Sequence, residues 1–390
     1  MELIAKRFTA GNLLFVNSIH SDGETLVLKW PGLFSNKKER IDILGLKVIQ
    51  VEGKSSRNEL VSILVRDFFD SEYKIDGFDV NEAEKFCQEV HHVKKDIENK
   101  RQDSLKNSIH QLEALQGLEE LKEIVKDTIK LRRYYKETGE NSMLSMHMVF
   151  KGNPGTGKTT VARLIGEILY LEGVLHSNNF VECSRVDLVG EYIGHTAPKT
   201  LKMCEKALDG ILFIDEAYTL SGQSEMKNDF GKEAIETLLK FMEDNRNRTC
   251  VIVAGYSDLM NQFIASNPGL KSRFTHFIDF SDFNEKQLFQ MAKDFFEKEK
   301  IEFSDGVESE FFGQIKSIYD HRDNNFGNGR VVRNLCEAIV RNYDLRMAES
   351  LDSKENTLNK KLISADFHLV FEEYFSLNKR VEPTNDSIGY

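Results

Sequence analysis

The 390-residue sequence has no run of about 18 consecutive apolar residues, which excludes a membrane-spanning helix. Its first residues lack the basic-then-apolar pattern of a secretory signal, so the expected location is the cytoplasm. Cysteine is scarce. Cys87, Cys183, Cys204, Cys250 and Cys336 are scattered, with no C-x-x-C pair among them. That spacing speaks against a zinc site or a disulfide framework and for a reducing compartment, where each thiol is an ordinary buried side chain. An excess of positive charge is also missing: 52 Lys and Arg stand against 63 Asp and Glu, a net charge of −11. This balance argues against a long nucleic-acid footprint, although a local basic pore would escape the test. Only about one of those net charges falls before Gln111, so the acidity belongs to the larger C-terminal part. Internal repeats and low-complexity tracts are absent.

What is present suits a globular chain of two or three domains, 40% hydrophobic and 29% charged. The first 75 residues or so read as strands: "NLLFVNSI", "ETLVLKW", "RIDILGLKVIQV" and "ELVSILVRDF" are separated by Gly, Asn, Asp and Ser turns. The period then changes. Val80, Ala83, Phe86, Cys87, Val90, Val93 and Ile97 fall on one helical face. Strands followed by one amphipathic helix resemble the small capped barrel of pleckstrin-homology-like domains, in pattern only. Residues 98–111 are polar and read as a linker or an exposed helix end. From Leu112 the strand candidates "MHMVF", "NFVEC", "GILFIDEA" and "CVIVAGY" alternate with helical stretches, which implies a parallel sheet covered on both faces. Only helical periodicity remains from about Asn284 to Tyr374, and the last residues read as a loose tail.

The stretch "GNPGTGKT" from Gly152 to Thr159 matches G-x-x-x-x-G-K-[ST] between a strand and a helix. Gly152, Asn153, Pro154, Gly155, Thr156 and Gly157 would turn backbone N–H groups inward around phosphate oxygens. The helix entered through Thr160 adds the partial positive charge of its N-terminus. Lys158 can reach the outer phosphates of ATP, and the Thr159 hydroxyl can hold Mg²⁺. "GILFIDEA" supplies a buried strand ending in Asp215 and Glu216, 57 residues beyond Lys158. Asp215 would hold Mg²⁺, and Glu216 would polarise the attacking water, making hydrolysis the expected reaction. Charge developing on the outer phosphate needs a cation. Arg273 in "NPGLKSRF" and Arg330 and Arg333 in "FGNGRVVRN" are the candidates.

Taken in order, "GNPGTGKT", "ILFIDEA", "NPGLKSRF" and "GNGRVVRN" resemble an AAA+ ATPase. "GEYIGHTAPKT" at residues 190–200 and "LEALQGLEELKEIVKDTI" are similar to the CbxX/CfqX branch, which includes red-type Rubisco activases and stage V sporulation protein K. The resemblance covers roughly Leu112 to Tyr374. It implies an α/β fold: an AAA+ parallel-sheet domain over 112–283 and a helical lid over 284–377. A β-rich domain over 1–100 and a linker over 101–111 would precede them, and a tail over 378–390 would follow. By the same resemblance Arg273 is an arginine finger acting on the neighbouring subunit, and Arg330 is the sensor-2 arginine of the lid. A trans-acting finger implies a homo-oligomeric ring, a hexamer. Tyr192 and Ile193, with Gly194, correspond to an aromatic pore loop that grips a protein substrate. Tyr256 and Ser257 both stand as sensor-1 candidates.

These features imply an ATP-hydrolysing ring that remodels an unidentified protein partner recruited by the N-terminal domain. A nucleotide-gated scaffold without translocation is the alternative. A DNA-dependent ATPase fits the acidic balance poorly, and the extra N-terminal domain weakens a Rubisco activase reading.

Overall fold

The computed structural model describes residues 2–4, 18–22, 25–30, 37–43, 46, 48–54, 60–66, 72–115, 117–139, 146–221, 230–352 and 361–378. Residues 12–17 of the expected strand "NLLFVNSI" and the tail beyond 378 lie outside them. The chain divides into two compact units at Asn107/Ser108.

The first unit holds two antiparallel sheets. β1 (Glu2–Ile4), β2 (Ser18–Asp22), β3 (Thr25–Trp30) and β4 (Lys37–Asp42) pair in that order. β5 (Val48–Lys54), β6 (Leu60–Arg66) and β7 (Glu72–Asp79) form the second meander. On β6, Val61, Ile63 and Val65 share one face and are buried, and Leu64 on the opposite face is buried too. They pack with Ile75, Phe78 and the apolar face of helix α1 (Val80–Ala114), on which Ala83, Phe86, Cys87 and Val90 are buried and Val80, Val93 and Ile97 join the cluster. Of the two readings of residues 98–111, the helical one matches: α1 continues through 101–111, so no linker interrupts it. With no Pro or Gly between Val80 and Ala114, nothing in that polar stretch breaks the helix.

The second unit begins with α2 (Glu119–Thr138), which packs on α3 (Lys158–Glu172) and is tied to it by the Arg133–Glu172 ion pair. Its sheet comprises β8 (Met148–Gly152), β9 (Phe180–Cys183), β10 (Ile211–Ile214), β11 (Cys250–Gly255) and β12 (His276–Phe280). They are all parallel, in the order β12-β8-β11-β10-β9. Four of the five are the expected strands. β12 escapes the sequence reading because an edge strand is covered less evenly: His276, Phe277 and Asp279 are at least partly open while Ile278 and Phe280 are buried. The interior strands are buried throughout, β10 and β11 at every residue. α4 (Arg185–Leu188), α5 (Thr196–Lys206), α6 (Gly231–Asp244), α7 (Ser257–Ala265) and α8 (Pro268–Arg273) complete this layer.

The lid contains α9 (Glu285–Lys298), α10 (Val307–Asp320), α11 (Asn328–Asp352) and α12 (Ser364–Asn378). It is not wholly helical: β13 (Glu302–Phe303) pairs with β14 (Lys361–Leu362), two strands too short to leave a period in the sequence. Phe296, Phe311, Phe367 and Phe371 stack edge-on at its centre. All five cysteines are free and buried. Burial pushes Cys87 up to about 11 and Cys183, Cys204 and Cys336 up to about 12, so none is a nucleophile near neutral pH.

His147, just before β8, is buried at the foot of this sheet, where its ring meets Phe274 edge-on at 6.2 Å. The Val251 N–H donates to its Nδ1 at 3.1 Å, so the neutral ring carries its proton on Nε2. Burial, helped by Arg246 and Arg273, lowers its pKa to about 4 from 6.5. The unfolded chain therefore takes up a proton that the folded one refuses. The stability is fully present above the unfolded value of 6.5 and is lost as pH falls toward about 4. Between pH 7 and 5 the parent should lose about 2 kcal/mol from this site, and His147→Asn, which keeps an acceptor but does not titrate, should not. Urea unfolding of both at the two pH values measures the difference, and equal losses would acquit His147.

Candidate nucleotide site

β8 lies between β12 and β11, and its end turns into the glycine loop. Two glycines there are steric requirements. A Cβ on Gly152 (φ 154°) would lie 2.3 Å from the Phe280 carbonyl oxygen. One on Gly155 (φ 71°) would lie 2.2 Å from the Gly327 carbonyl oxygen and 2.7 Å from the Arg330 nitrogen. The loop is thus pressed against both the edge strand and the lid, a proximity only glycine permits. Gly157, left-handed at φ 91°, starts α3, so Lys158, Thr159 and Thr160 occupy its first turn.

Parallel strands run about 4.8 Å apart, so with β11 between them the ends of β8 and β10 are separated by about 10 Å. The cavity at these strand ends measures about 520 Å³. Lys158, Thr159 and Thr160 line it from one side and Asp215 and Glu216 from the other, while Arg330 and Arg333 reach it from α11. Tyr256 enters from β11, the strand in the middle. Ser257 is not in the lining. Met291 of the lid also lines the cavity, with no signal in the sequence beyond its position on an amphipathic helix. Asn153 and Thr156 turn away: the Asn153 amide donates to Asp282, and the Thr156 hydroxyl donates to the Asn153 carbonyl at 2.8 Å.

Lys158 Nζ donates to the Gly152 and Asn153 carbonyls, each at 2.8 Å. Its pKa is lowered, chiefly by burial; Asp215 opposes the shift and Arg330 adds to it. An anion in the cradle would offset that desolvation. Asp215 follows the buried β10, and its backbone N–H donates to the Cys183 carbonyl at 2.9 Å, which fixes its backbone at the C-terminal end of that strand. Glu216 has φ 49°, a left-handed conformation that costs a non-glycine residue of the order of 1 kcal/mol or more. The 3-10 turn Ala217–Ser221 holds it there, with the Thr219 N–H and hydroxyl donating to the Glu216 carbonyl at 2.9 and 2.7 Å. That strained turn leaves the Glu216 side chain exposed at the cavity. Thr159 and Asp215 share this cavity, an oxygen-donor pair that suits Mg²⁺.

Arg273 does not line the cavity. It ends α8, with Nη2 3.1 Å from Glu243 Oε2 and Nη1 donating to the Gly269 carbonyl at 3.3 Å. Tyr192 and Ile193 lie elsewhere again, 65% and 81% exposed. Their loop closes tightly: the Gly190 N–H donates to the buried Thr196 hydroxyl at 3.1 Å, and a Cβ on Gly190 would meet His195 Cβ at 2.6 Å. Gly194 (φ 83°) turns the crown, where the Tyr192 ring meets His195 edge-on at 5.6 Å.

Residues 148–282 match the model of the ATPase family associated with various cellular activities (AAA), and residues 284–375 match that of the AAA lid domain. Stage V sporulation protein K of Bacillus subtilis is 43% identical over 250 residues, 62% of this chain and 76% of that protein. Protein CfxQ of Xanthobacter flavus is 44% identical over 206 residues, covering 53% of this chain and 64% of its own length. The chloroplastic ribulose bisphosphate carboxylase/oxygenase activase of Cyanidioschyzon merolae is 42% identical over 192 residues, 49% and 66% of the two chains.

Proposed function

Because the chain belongs to the AAA ATPase family, with an AAA lid domain, and its homologues are ATPases, we propose that it forms a homo-oligomeric ring, a hexamer, that uses ATP hydrolysis to pull on a protein partner. Within one subunit, Lys158 and the loop N–H groups bind the phosphates, and Glu216 takes a proton from the attacking water. Tyr256, at the end of the middle strand, orients that water from the sensor-1 position. Thr159 and Asp215 would hold Mg²⁺, which when bound offsets phosphate charge. Arg330 contacts the phosphates from the lid, and Arg273 serves the neighbouring subunit's site. The N-terminal unit recruits the partner, and no helix among the described residues is long and apolar enough to cross a membrane.

The observation that carries the pulling activity is the crown of the 190–196 loop. Two large apolar side chains, Tyr192 and Ile193, stand side by side in water on a short, pinned loop. An aromatic there grips polypeptide without reading its sequence. Tyr192→Ala should leave the melting temperature and basal ATPase rate close to the parent's, within about 0.5 kcal/mol in stability. It should abolish ATP-dependent crosslinking of a fluorescein-labelled unfolded casein to the ring, and Tyr192→Phe should keep most of it. Undiminished crosslinking by a stable Tyr192→Ala ring would favour a nucleotide-gated scaffold. The activase relative makes Rubisco a second substrate to assay, with the N-terminal unit as the feature that weighs against it.

A further inference from the structure

The glycine loop and the lid are joined by a buried polar chain that the phosphate chemistry does not use. Asn328, the first residue of α11, is fully buried and has φ 46°. Its Oδ1 accepts the Phe283 N–H at 2.9 Å, which fixes the amide's orientation. Its Nδ2 then donates to Asp282 Oδ1 at 2.7 Å and to the Phe326 carbonyl at 3.0 Å, and it reaches the Pro154 carbonyl at 3.4 Å. The same Asp282 carboxylate accepts from Asn153 Nδ2 at 3.0 and 3.2 Å. A backbone bond from the Gly329 N–H to the Gly155 carbonyl, 3.1 Å, runs beside it. Asp282 stands between β12 and α9, where sheet and lid meet.

We propose that Asn153, Asp282 and Asn328 form a latch that sets where Arg330 stands over the phosphates, with Asp282 and Asn328 as positioning residues for hydrolysis. The proposal rests on the reading of Arg330 as the lid's phosphate contact. Lys158 bonds the Asn153 carbonyl, and the Asn153 side chain bonds Asp282. Asp282 bonds Asn328, two residues before Arg330 on the same helical turn. A phosphate that draws Lys158 away from the Asn153 carbonyl therefore disturbs the first link of a continuous chain ending at the lid arginine. The strained, fully buried asparagine at the far end plays two parts at once: its side chain donates to the Asp282 carboxylate and accepts from the Phe283 N–H.

The test is a cycle of four full-length proteins: parent, Asn328→Gly, Arg330→Ala and the double variant. Glycine adopts φ 46° readily, so Asn328→Gly keeps the backbone and removes only the amide. It should lower kcat between about 10- and 100-fold, the range for a misplaced catalytic group. ADP affinity should be unchanged, and the double variant should be no slower than Arg330→Ala alone. Losses that multiply in the double variant, or an unchanged kcat in Asn328→Gly, overturn the latch. An Arg330→Ala protein as fast as the parent overturns the reading of Arg330, and the latch with it, as a separately visible result. If Asn328→Gly does not fold, Asp282→Asn, which removes the carboxylate charge and turns an NH2 toward the Asn153 Nδ2 donor, enters the same cycle. Failure of both to fold assigns the network to folding and overturns the positioning role.

Discussion

Arg273→Ala should bind ATP nearly as the parent does and hydrolyse it on the order of 10³-fold or more slowly. The expectation rests on position. The guanidinium lies outside the cavity that holds Lys158 and Glu216, so its removal leaves one subunit's own phosphate contacts intact. It is also held ready rather than loose. Glu243 and the Gly269 carbonyl pair with its Nη groups, while Nε is buried without a partner among the described residues. A half-satisfied arginine in a single subunit is what an inter-subunit contact would complete. Mixing Arg273→Ala with Glu216→Gln subunits tests this. Some interfaces in mixed rings pair an intact finger with an intact glutamate, and partial activity should return. Mixed rings, confirmed by mass, that stay inactive would mean Arg273 acts within its own chain.

Lys158→Ala and Glu216→Gln should fail differently. Lys158 is the cation at the glycine loop, and its ammonium is half-desolvated against two carbonyls that phosphate oxygens would replace. Its loss should abolish nucleotide binding. Glu216 hangs from a strained turn at the cavity edge and contributes no cation, so the glutamine variant should hold ATP while losing most turnover. Titrating a fluorescent ATP analogue into both, alongside steady-state rates, measures the division. Equal loss of affinity in the two variants would contradict it.

Local chemistry explains how much was legible before the fold was known. The glycine loop could be read because left-handed and crowded backbone positions accept almost nothing but glycine, and strand-to-helix flanks are visible as a change of period. The interior strands β8, β10 and β11 were legible because double burial leaves continuous apolar runs. Edge strand β12 and the pair β13–β14 were not, since partial burial or two-residue length leaves no such run. The helix through 101–111 was ambiguous for a related reason: a polar exposed helix and a polar linker share a composition, and only continuity of backbone hydrogen bonding tells them apart.

The sequence by itself determined which residues stand as candidates for phosphate chemistry, because Gly152 to Thr160 and Asp215–Glu216 are each contiguous. Tertiary structure decided everything that depends on strands far apart in the chain becoming neighbours. Strand order brought β11 between β8 and β10, and so chose Tyr256 over Ser257 for the cavity. Packing of the lid carried Arg330 and Met291 to the cavity while leaving Arg273 outside. The same packing joined Asn153 to Asp282 and Asn328, 129 and 175 positions away, through a carboxylate whose two amide donors no local pattern could have announced. Directional hydrogen bonds between distant segments are satisfied only once the backbone has brought their atoms to about 3 Å, and sequence spacing carries no record of that distance.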